Sequence, residues 1–390
     1  MPTYIHNLDA HCALGPDLNT GVDALLAGRN ALSSVPLEWL CEPLCLPYFS
    51  MSGSPISDGL YHYLEQRCEH LLQSRPLKQA GARQRTALLI GSSSFDVGVS
   101  EQRYRSDLAQ RSEQALPMPI IGYGKLTQRL REHFGLSPLS QTYSTACTSS
   151  SNALLYGHRM IQAGLVDHAL VLGLECFNNT SLLGFYSLGL ISPSQAMRPF
   201  ARARDGLILG EGLGAVVLSR EPLEPHRPQW QLLGGASGTD NHSLTAAHTD
   251  GRQLARVISE ALANSHIEVD ALVGIKLHGT ASLKNDASEA AAVRHLLGEH
   301  CPAAFALKPW VGHTLGACGA LELALTLGCL ERQGCPARPD ITPDPELAMP
   351  LAETGCAAPE GPYLFNCFAF GGNNNALIVD HRQPPGGHGP

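Results

Sequence analysis

One cysteine of the chain has the sequence setting of a nucleophile. Cys147 follows the β-favouring run 141–145 and precedes a segment, 152–163, in which apolar residues recur at helical spacing until Gly164. A thiol at such a strand-to-helix turn lies among unpaired backbone N–H groups at the positive end of a helix dipole, and both favour the thiolate. A thiolate attacks acyl carbons, and backbone N–H groups can stabilise the resulting oxyanion. We therefore expect a reactive thiolate at Cys147, although a single buried cysteine is more often inert.

Three more reactive side chains follow apolar runs in the second half of the chain. His278 follows the run 271–277, Lys308 ends the run 304–308, and His313 lies five residues beyond Lys308. Each alone could be a hydrogen-bonded core histidine or a surface lysine, but in order with Cys147 they predict one catalytic site. Cys147, His278 and His313 could also bind zinc by ligand type. Their spacings match no metal-binding pattern, however, so we predict no metal.

These residues require a framework of alternating strands and helices. Helices are predicted at 57–74 and 123–134, and buried strands at 86–94, 168–176 and 215–219, followed in the second half by strands at 229–236, 271–277 and 304–308. This alternation is typical of an α/β fold whose sheet is covered on both faces. Segment 316–325 repeats the small-residue pattern of 146–155, so we predict two related buried helices, one in each half.

The chain is predicted to divide at the Pro-rich break 221–228. The first half, 1–220, carries the cysteine, the second half, 221–382, carries both histidines and the lysine, and 383–390 is predicted to be a disordered tail. Stretch 177–197 is predicted to be irregular, either lining an apolar pocket or packing beneath a loop. Glycines at 206–214 precede a strand, whereas a dinucleotide loop must follow one, so no cofactor is predicted.

Composition excludes several classes of protein. With 390 residues, 44% hydrophobic and 16% charged, the chain can bury a large core, and its net charge of −8 argues against a general nucleic-acid binder. Twelve cysteines without a C-x-x-C pair suggest neither a zinc ribbon nor a redox dithiol and fit reduced thiols in the cytoplasm. No secretory signal and no bilayer-spanning run is recognised.

The motifs around the four reactive residues resemble those of a known family. They are Thr145-Ala-Cys-Thr-Ser149, Arg198-Pro-Phe with Arg204-Asp-Gly, His278-Gly-Thr with Glu289, Lys308-Pro-Trp-Val-Gly-His313 and Asn366-Cys-Phe-Ala-Phe-Gly-Gly372. Together they resemble the elongating β-ketoacyl-acyl-carrier-protein synthases, which are decarboxylating condensing enzymes of the thiolase superfamily. The resemblance covers about 86–380. It implies a five-layer αβαβα fold of two pseudo-repeated halves, acting as a dimer.

The resemblance also implies a reaction. Cys147 would accept an acyl chain from a carrier-protein thioester, and a malonyl group on acyl carrier protein would lose its carboxylate and attack that chain, in a decarboxylative Claisen condensation of fatty-acid or polyene/polyketide elongation. His278 and His313 would donate N–H groups to the malonyl thioester carbonyl as charge develops there. Backbone N–H groups of Cys147 and Phe370 would form the oxyanion hole, and the flexible Gly371-Gly372 would permit that close approach.

Further roles come from the resemblance alone. Glu289 matches the acidic residue that pairs with Lys308, and a fixed positive charge there would disfavour protonation of a nearby histidine. Thr280 and Ser282 match positions that contact the pantetheine arm of the carrier, and Phe370 matches a gate to the acyl pocket. Arg202 and Arg204 are either solvated charges or contacts for an acidic carrier protein.

Departures from the family pattern leave alternatives open. Asn373-Asn374 stands where the family has Thr-Asn, and with the divergent first third this favours pathway-specific synthases, for instance those of bacterial aryl polyene assembly. The chain could be a homodimer or a heterodimer with a chain-length-factor-like subunit. A non-elongating scaffold subunit remains an alternative. His313 argues against a degradative thiolase, which uses a second cysteine instead, and the Lys308/His313 motif disfavours the starter-type synthase.

Overall fold

The computed structural model describes residues 3–37, 42, 44–53, 59–111, 122–224, 226–243, 248–298 and 301–382; the predicted tail 383–390 lies outside them. The strands are β1 Thr3–Cys12, β2 Ser33–Leu37, β3 Leu44–Tyr48, β4 Thr86–Gly91, β5 Gln141–Tyr143, β6 His168–Glu175, β7 Gly212–Ser219, β8 Gln229–Thr239, β9 Gly274–Lys276, β10 Ala304–Phe305, β11 Tyr363–Phe368 and β12 Asn373–Arg382. The helices are α1 Leu18–Leu26, α2 Leu60–Leu72, α3 Val97–Arg111, α4 Tyr123–Phe134, α5 Ser149–Gln162, α6 Asn179–Ser187, α7 Arg252–Ser265, α8 Leu283–Leu297, α9 Lys308–Val311 and α10 Cys318–Glu331.

The ten-stranded sheet consists of two half-sheets with the same topology. Ten strands follow the order β10-β9-β11-β12-β8-β1-β7-β6-β4-β5. Reading outward from the centre, β1-β7-β6-β4-β5 and β8-β12-β11-β9-β10 have the same chain order and the same sequence of antiparallel and parallel neighbours. Short antiparallel pairing between β1 and β8 joins the two half-sheets. The predicted boundary at 220/221 lies in the connection between β7 and β8.

Helices cover both faces of each half-sheet, which confirms the predicted five-layer α/β fold. Helices α2 and α4 pack on the outer face of β4, β6 and β7, and α7 and α8 pack on the outer face of the second half-sheet. Helices α5 and α10 form the central layer. Because α10 is surrounded by protein, nearly every residue along it is buried and it is apolar all round.

The two central helices approach each other closely at a glycine. A Cβ on Gly319 of α10 would lie 2.4 Å from the backbone nitrogen of Ser151 in α5, so only glycine fits there without a backbone shift. This contact brings the beginnings of α5 and α10 together. Cys147 precedes α5 and His313 precedes α10, so the helix pair sets the distance between the two side chains.

One segment differs from its prediction. Stretch 177–197 contains α6, because the side chain of Asn178 accepts a hydrogen bond from the backbone N–H of Ser181 at 2.8 Å and so caps the helix. The remainder of the stretch lies near the site described below. Among the described residues, none of the helices has the length and apolar character needed to cross a bilayer.

Candidate active site

Cys147 lies at the sharp turn between β5 and α5. Ala146, directly before it, has a φ of +52°, an uncommon conformation for a residue with a Cβ. Ser149 holds this turn: its hydroxyl accepts from the backbone N–H of Thr145 at 3.0 Å and donates to the carbonyl of Ala146 at 2.6 Å. The side chain of Cys147 is buried and faces the second half of the molecule. The predicted strand-to-helix setting of Cys147 is therefore confirmed.

His313 directs a nitrogen at the sulfur of Cys147. Its Nε2 lies 3.2 Å from Cys147 Sγ, while its Nδ1 accepts the backbone N–H of Leu315 at 3.2 Å. A neutral imidazole that accepts at Nδ1 carries its proton on Nε2. His313 therefore presents an N–H donor, and not a base, to Cys147. The backbone N–H of His313 donates to Ile208 at 2.7 Å, which fixes this segment.

His278 presents its donor in the same way. Its Nδ1 lies 3.3 Å from Nζ of Lys308, and an ammonium can only donate, so the proton of the neutral ring is on Nε2. The rings of His278 and His313 lie 5.3 Å apart, nearly perpendicular. Burial lowers the pKa of both histidines well below the usual range, and the charge of Lys308 adds to this. Both rings are consequently neutral N–H donors at physiological pH.

The ion-pair partner of Lys308 is Glu322, and the predicted pairing with Glu289 is wrong. Nζ of Lys308 donates to Glu322 Oε1 at 2.6 Å, deep in the core. The carboxylate of Glu289 instead accepts the backbone N–H groups of His278 at 2.7 Å and Gly279 at 2.9 Å. The physical reason is local: Glu289 lies on α8, directly beneath the loop that follows β9, and that loop leaves two N–H groups for it to accept. Glu289 therefore orients the His278 loop.

Glu322 accepts from a second buried lysine. Nζ of Lys276 lies 2.7 Å from Glu322 Oε2 and 2.6 Å from the carbonyl oxygen of Asn366, to which it donates. Burial acts to raise the pKa of Glu322, but Lys276 and Lys308 overcome this and hold it below the usual range. Burial likewise opposes the charge on Lys308, yet Glu322 raises the pKa of Lys308 and keeps the ammonium protonated.

The expectation of a resting thiolate at Cys147 is wrong. Burial, followed by the neighbouring Cys367, raises the pKa of Cys147 to about 12, although Lys308 and the backbone N–H of Phe370 act to lower it. The loss of solvation outweighs the donors at the turn because the side chain is almost completely buried. Cys147 is therefore a thiol at rest, with N–H donors already aimed at the position of its anion.

A cavity of about 330 Å³ connects these groups to the surface. Its lining includes Cys147, His278, His313, Thr280, Ser282 and Phe370. The hydroxyl groups of Thr280 and Ser282 are 3.0 Å apart, and the ring of Phe370 stacks on Phe185 of α6 at 5.5 Å. A larger cavity, of about 390 Å³, lies between α2, α3 and α4 but contains none of the reactive groups. The chemistry of the lining, rather than its size, identifies the candidate site.

Gly371 and Gly372 form the predicted flexible turn beside Phe370. Both have positive φ, +76° and +73°. A Cβ on Gly372 would lie only 1.7 Å from the carbonyl oxygen of Asp240, so this position requires glycine. The turn brings the backbone N–H of Phe370 to the sulfur of Cys147.

Two protein-family models match consecutive parts of the chain. Residues 58–223 match the model described as "Beta-ketoacyl synthase, N-terminal domain", and residues 231–342 match "Beta-ketoacyl synthase, C-terminal domain". The chain belongs to the β-ketoacyl synthase family. A putative polyketide beta-ketoacyl synthase 1 of Streptomyces halstedii is 31% identical over 296 residues, which are 72% of this chain and 70% of the relative.

Other family members extend the comparison. The 3-oxoacyl-[acyl-carrier-protein] synthase 2 of Synechocystis sp. is 32% identical over 61% of each chain, and a Streptomyces cyaneus relative matches over 62% of its own length, so the match spans less than two thirds of these two proteins. Among solved structures, a ketosynthase (ApeO) in complex with its chain length factor (ApeC) from Xenorhabdus doucetiae has a TM-score of 0.82 and 27% identity, covering 97% and 98% of the two chains. A beta-ketoacyl synthase from Burkholderia phymatum has the same fold, with a TM-score of 0.83, 24% identity and coverage of 97% and 99%.

A cluster of possible metal ligands lies beside the candidate site. Ligand atoms of His278, Cys318 and Cys367 lie within 4.8 Å of one another. The thiols of Cys318 and Cys367 donate to the carbonyl oxygen of Cys147 at 3.1 and 3.0 Å, and the ammonium of Lys308 lies 3.3 Å from His278 Nδ1. A cation would be repelled by that ammonium, so this cluster does not fit a metal ion. The two thiols instead hold the backbone of the nucleophile.

Sequence reasoning missed three residues of the candidate site. Glu322 and Lys276 complete the charge cluster, and the signal for Glu322 was a carboxylate within an otherwise apolar helix. Asn374 lines the cavity and is only 2% exposed, and its side-chain nitrogen has no hydrogen-bond partner within the described part of the chain. No signal in the sequence distinguished Asn374 from its neighbours Asn373 and Asn375.

Arg204 is neither a solvated charge nor a contact for a carrier protein. Arg204 is largely buried and forms an ion pair with Asp344, so it is not available to a carrier protein. Arg202, two residues earlier, is exposed. Only Arg202 retains both of the interpretations predicted for the pair.

Proposed function

We propose that this chain is an acyltransferase that catalyses the decarboxylative Claisen condensation of an acyl chain, held on Cys147, with malonyl-acyl carrier protein to give β-ketoacyl-acyl carrier protein. One observation carries the proposal: a buried thiol and two neutral imidazoles, each with Nε2–H as its donor, share one cavity. Neither a hydrolase with a histidine base nor a thiolase with a second cysteine needs two such donors.

The first step transfers the acyl chain. The sulfur of Cys147 attacks the thioester carbonyl of the carrier, and the C–S bond to the carrier breaks. The proton of the Cys147 thiol leaves with the carrier thiol, so no net base is consumed. Nε2–H of His313 stabilises the sulfur as it becomes anionic, and backbone N–H groups of Cys147 and Phe370 are proposed to stabilise the oxyanion.

The second step makes the carbon–carbon bond. In the malonyl thioester the bond to the carboxylate breaks, carbon dioxide leaves, and the electron pair delocalises onto the thioester oxygen. His278 and His313 are proposed to donate to that oxygen, as neutral donors whose protons stay in place. The enolate carbon then attacks the acyl carbonyl on Cys147, and the cysteine leaves as a thiolate that recovers a proton.

The entrance of the cavity suits a carrier protein. Thr280 and Ser282 are proposed to contact the pantetheine arm, and the ring of Phe370 to gate the acyl chain. Leu188 and Leu283 are exposed at the mouth of the cavity and suit an apolar contact. A homodimer or a heterodimer is proposed as the assembly, and the likeness to a ketosynthase that was solved with its chain length factor supports the heterodimer. An aryl polyene-type pathway remains our proposal for its biological setting.

The decisive experiment separates the two half-reactions. The purified chain is incubated with a panel of acyl-carrier thioesters and its intact mass is measured, and carbon dioxide release from malonyl-carrier protein is measured in parallel. We expect an acyl adduct that is absent from Cys147→Ala, and carbon dioxide release from the unmodified chain. If no thioester of the panel acylates Cys147, the chain is instead a scaffold subunit.

A further inference from the structure

A second lysine is buried where its charge is not needed for stability. Lys276 of β9 is 2% exposed and lies two residues before His278, whereas the other lysines beyond the site, Lys78 and Lys125, are exposed. Its neighbours in the chain, Ile275 and Leu277, are fully buried and apolar. Removing an ammonium from water costs several kcal/mol even when it is paired, and an apolar residue at such a position is often as stable or more stable. The charge of Lys276 therefore calls for a role other than stabilising the core.

The geometry gives the buried cluster a net positive charge. Glu322 shares one carboxylate between two ammonium groups, accepting Lys308 on Oε1 at 2.6 Å and Lys276 on Oε2 at 2.7 Å. Lys308 and Glu322 alone would form a neutral pair. With Lys276 the three groups carry a net charge of +1, and Lys308 Nζ, which belongs to them, lies 3.3 Å from His278 Nδ1. The next buried carboxylate, Glu289, forms no ion pair with Lys276 and accepts backbone N–H groups instead.

We infer that Lys276 is a positioning residue that acts through Glu322 and Lys308: it supplies the net positive charge of the Lys276–Glu322–Lys308 cluster, which keeps both imidazoles neutral donors and stabilises the anions formed at Cys147 and on the substrate. This inference deepens the proposed function and rests on it. Lys276 contacts neither the cavity nor Cys147, so its effect is electrostatic. It also makes the site favourable for an anionic substrate, as the carboxylate of a malonyl group is.

The titratable groups that face the imidazoles are Lys308, Glu289, Cys147, Cys318, Cys367 and the imidazoles themselves. Lys308 is the cation among them, and Glu322 balances its charge. Glu289 would favour protonation of His278, but its carboxylate is occupied by backbone N–H groups and by Asn366. Burial lowers the pKa of both histidines most, followed by Lys308 and, for His278, by His313; the charge on Lys276 adds a smaller contribution in the same direction. Removing it is therefore expected to raise the pKa of both rings and to disfavour the thiolate.

The test uses two uncharged replacements. Lys276→Met removes the charge and the donors, whereas Lys276→Gln removes the charge and keeps an N–H donor; Lys78→Met is the matched control, because Lys78 is exposed and remote from the cluster. The first readout is the rate at which iodoacetamide alkylates Cys147 between pH 6 and 9, measured by peptide mass spectrometry. The second is the pH profile of carbon dioxide release from malonyl-carrier protein.

We expect iodoacetamide to alkylate Cys147 about tenfold more slowly in both Lys276 variants than in the unmodified chain at each pH, which corresponds to an increase of about one unit in the pKa of Cys147. As the pH is lowered, carbon dioxide release should also begin to fall at a higher pH in the variants than in the unmodified chain. Lys78→Met should match the unmodified chain. If Lys276→Gln also matches it, hydrogen bonding and not charge explains the residue, and the inference is overturned. Should Lys276→Met not fold, Lys276→Gln alone decides. Because alkylation needs no substrate, slower alkylation without any carbon dioxide release would contradict the proposed reaction and not the electrostatic role.

Discussion

The tautomer of His313 predicts how the reactivity of Cys147 depends on pH. Nε2 of His313 donates to the sulfur, and the imidazole has a pKa far below 6.5, so no thiolate–imidazolium pair forms at neutral pH. Because burial raises the pKa of Cys147 to about 12, only a small fraction of molecules carries the thiolate between pH 6 and 9, and this fraction rises tenfold per pH unit. Alkylation of Cys147 by iodoacetamide should therefore accelerate about tenfold per unit from pH 6 to 9, without an inflection.

Replacing His313 measures what its N–H contributes. A hydrogen bond to a charged group contributes about 1.5–3 kcal/mol, and each 1.4 kcal/mol is a factor of ten, so His313→Leu should slow alkylation about 10- to 150-fold at every pH. His313→Gln offers an amide N–H to the sulfur but cannot accept a proton near neutral pH. It should recover part of the rate lost in His313→Leu.

Two results would refute this reasoning. A rate that is independent of pH between 6 and 9 would mean that Cys147 is already ionised, paired with a protonated His313. A Gln variant as slow as the Leu variant would mean that His313 acts as a base and not as a donor. Circular dichroism and thermal melting of each variant, compared with the unmodified chain, control for loss of structure.

Three further predictions follow from the same contacts. His278→Ala should suppress carbon dioxide release while leaving some acylation of the nucleophile, and equal loss of both half-reactions would contradict the proposed division of roles. Glu322→Gln should lower the free energy of unfolding by about 3–5 kcal/mol, measured by urea unfolding, because it leaves two buried ammonium groups without an anion. Glu289→Gln should lower it less, because the partners of Glu289 are neutral amides. Gly319→Ala should lower the free energy of unfolding by about 1–3 kcal/mol and lower the melting temperature, because its Cβ would lie 2.4 Å from a backbone nitrogen of α5. Gly124→Ala, with open space around the added Cβ, should not lower the melting temperature.

Much of the fold could be predicted because its elements are strongly patterned. Helix α4 was predicted with the bounds that it has, Tyr123–Phe134, since its apolar residues recur at helical spacing and Gly135 ends it in the left-handed conformation. The strands at 86–94 and 168–176 were recognisable because a sheet covered on both faces needs continuous apolar runs. Strand β1 was missed: its sequence mixes histidine, asparagine and aspartate with apolar residues, and it is a strand because it pairs with β7 and, over a short stretch, with β8.

Within the site, residue types were predictable but their ionisation was not. The position of Cys147 at a strand-to-helix turn was predicted correctly. The prediction of a thiolate was wrong because it did not take into account how deeply the second half of the molecule buries the sulfur. No local pattern reports that depth. The same holds for the tautomers of the histidines, which are set by Lys308 and by the backbone N–H of Leu315, groups that the sequence does not orient.

The partner of Lys308 could nevertheless have been inferred by a different argument. The resemblance to the synthase family implied Glu289, but a helix as apolar as α10 cannot bury Glu322 as a carboxylate without cations nearby, since an unpaired buried charge is prohibitively costly. Such a helix must find its cations among residues at or just beyond the ends of buried strands: Lys276 ends β9, and Lys308 follows β10 by three residues and begins α9. The composition of α10 therefore demands a positive partner before any contact is known.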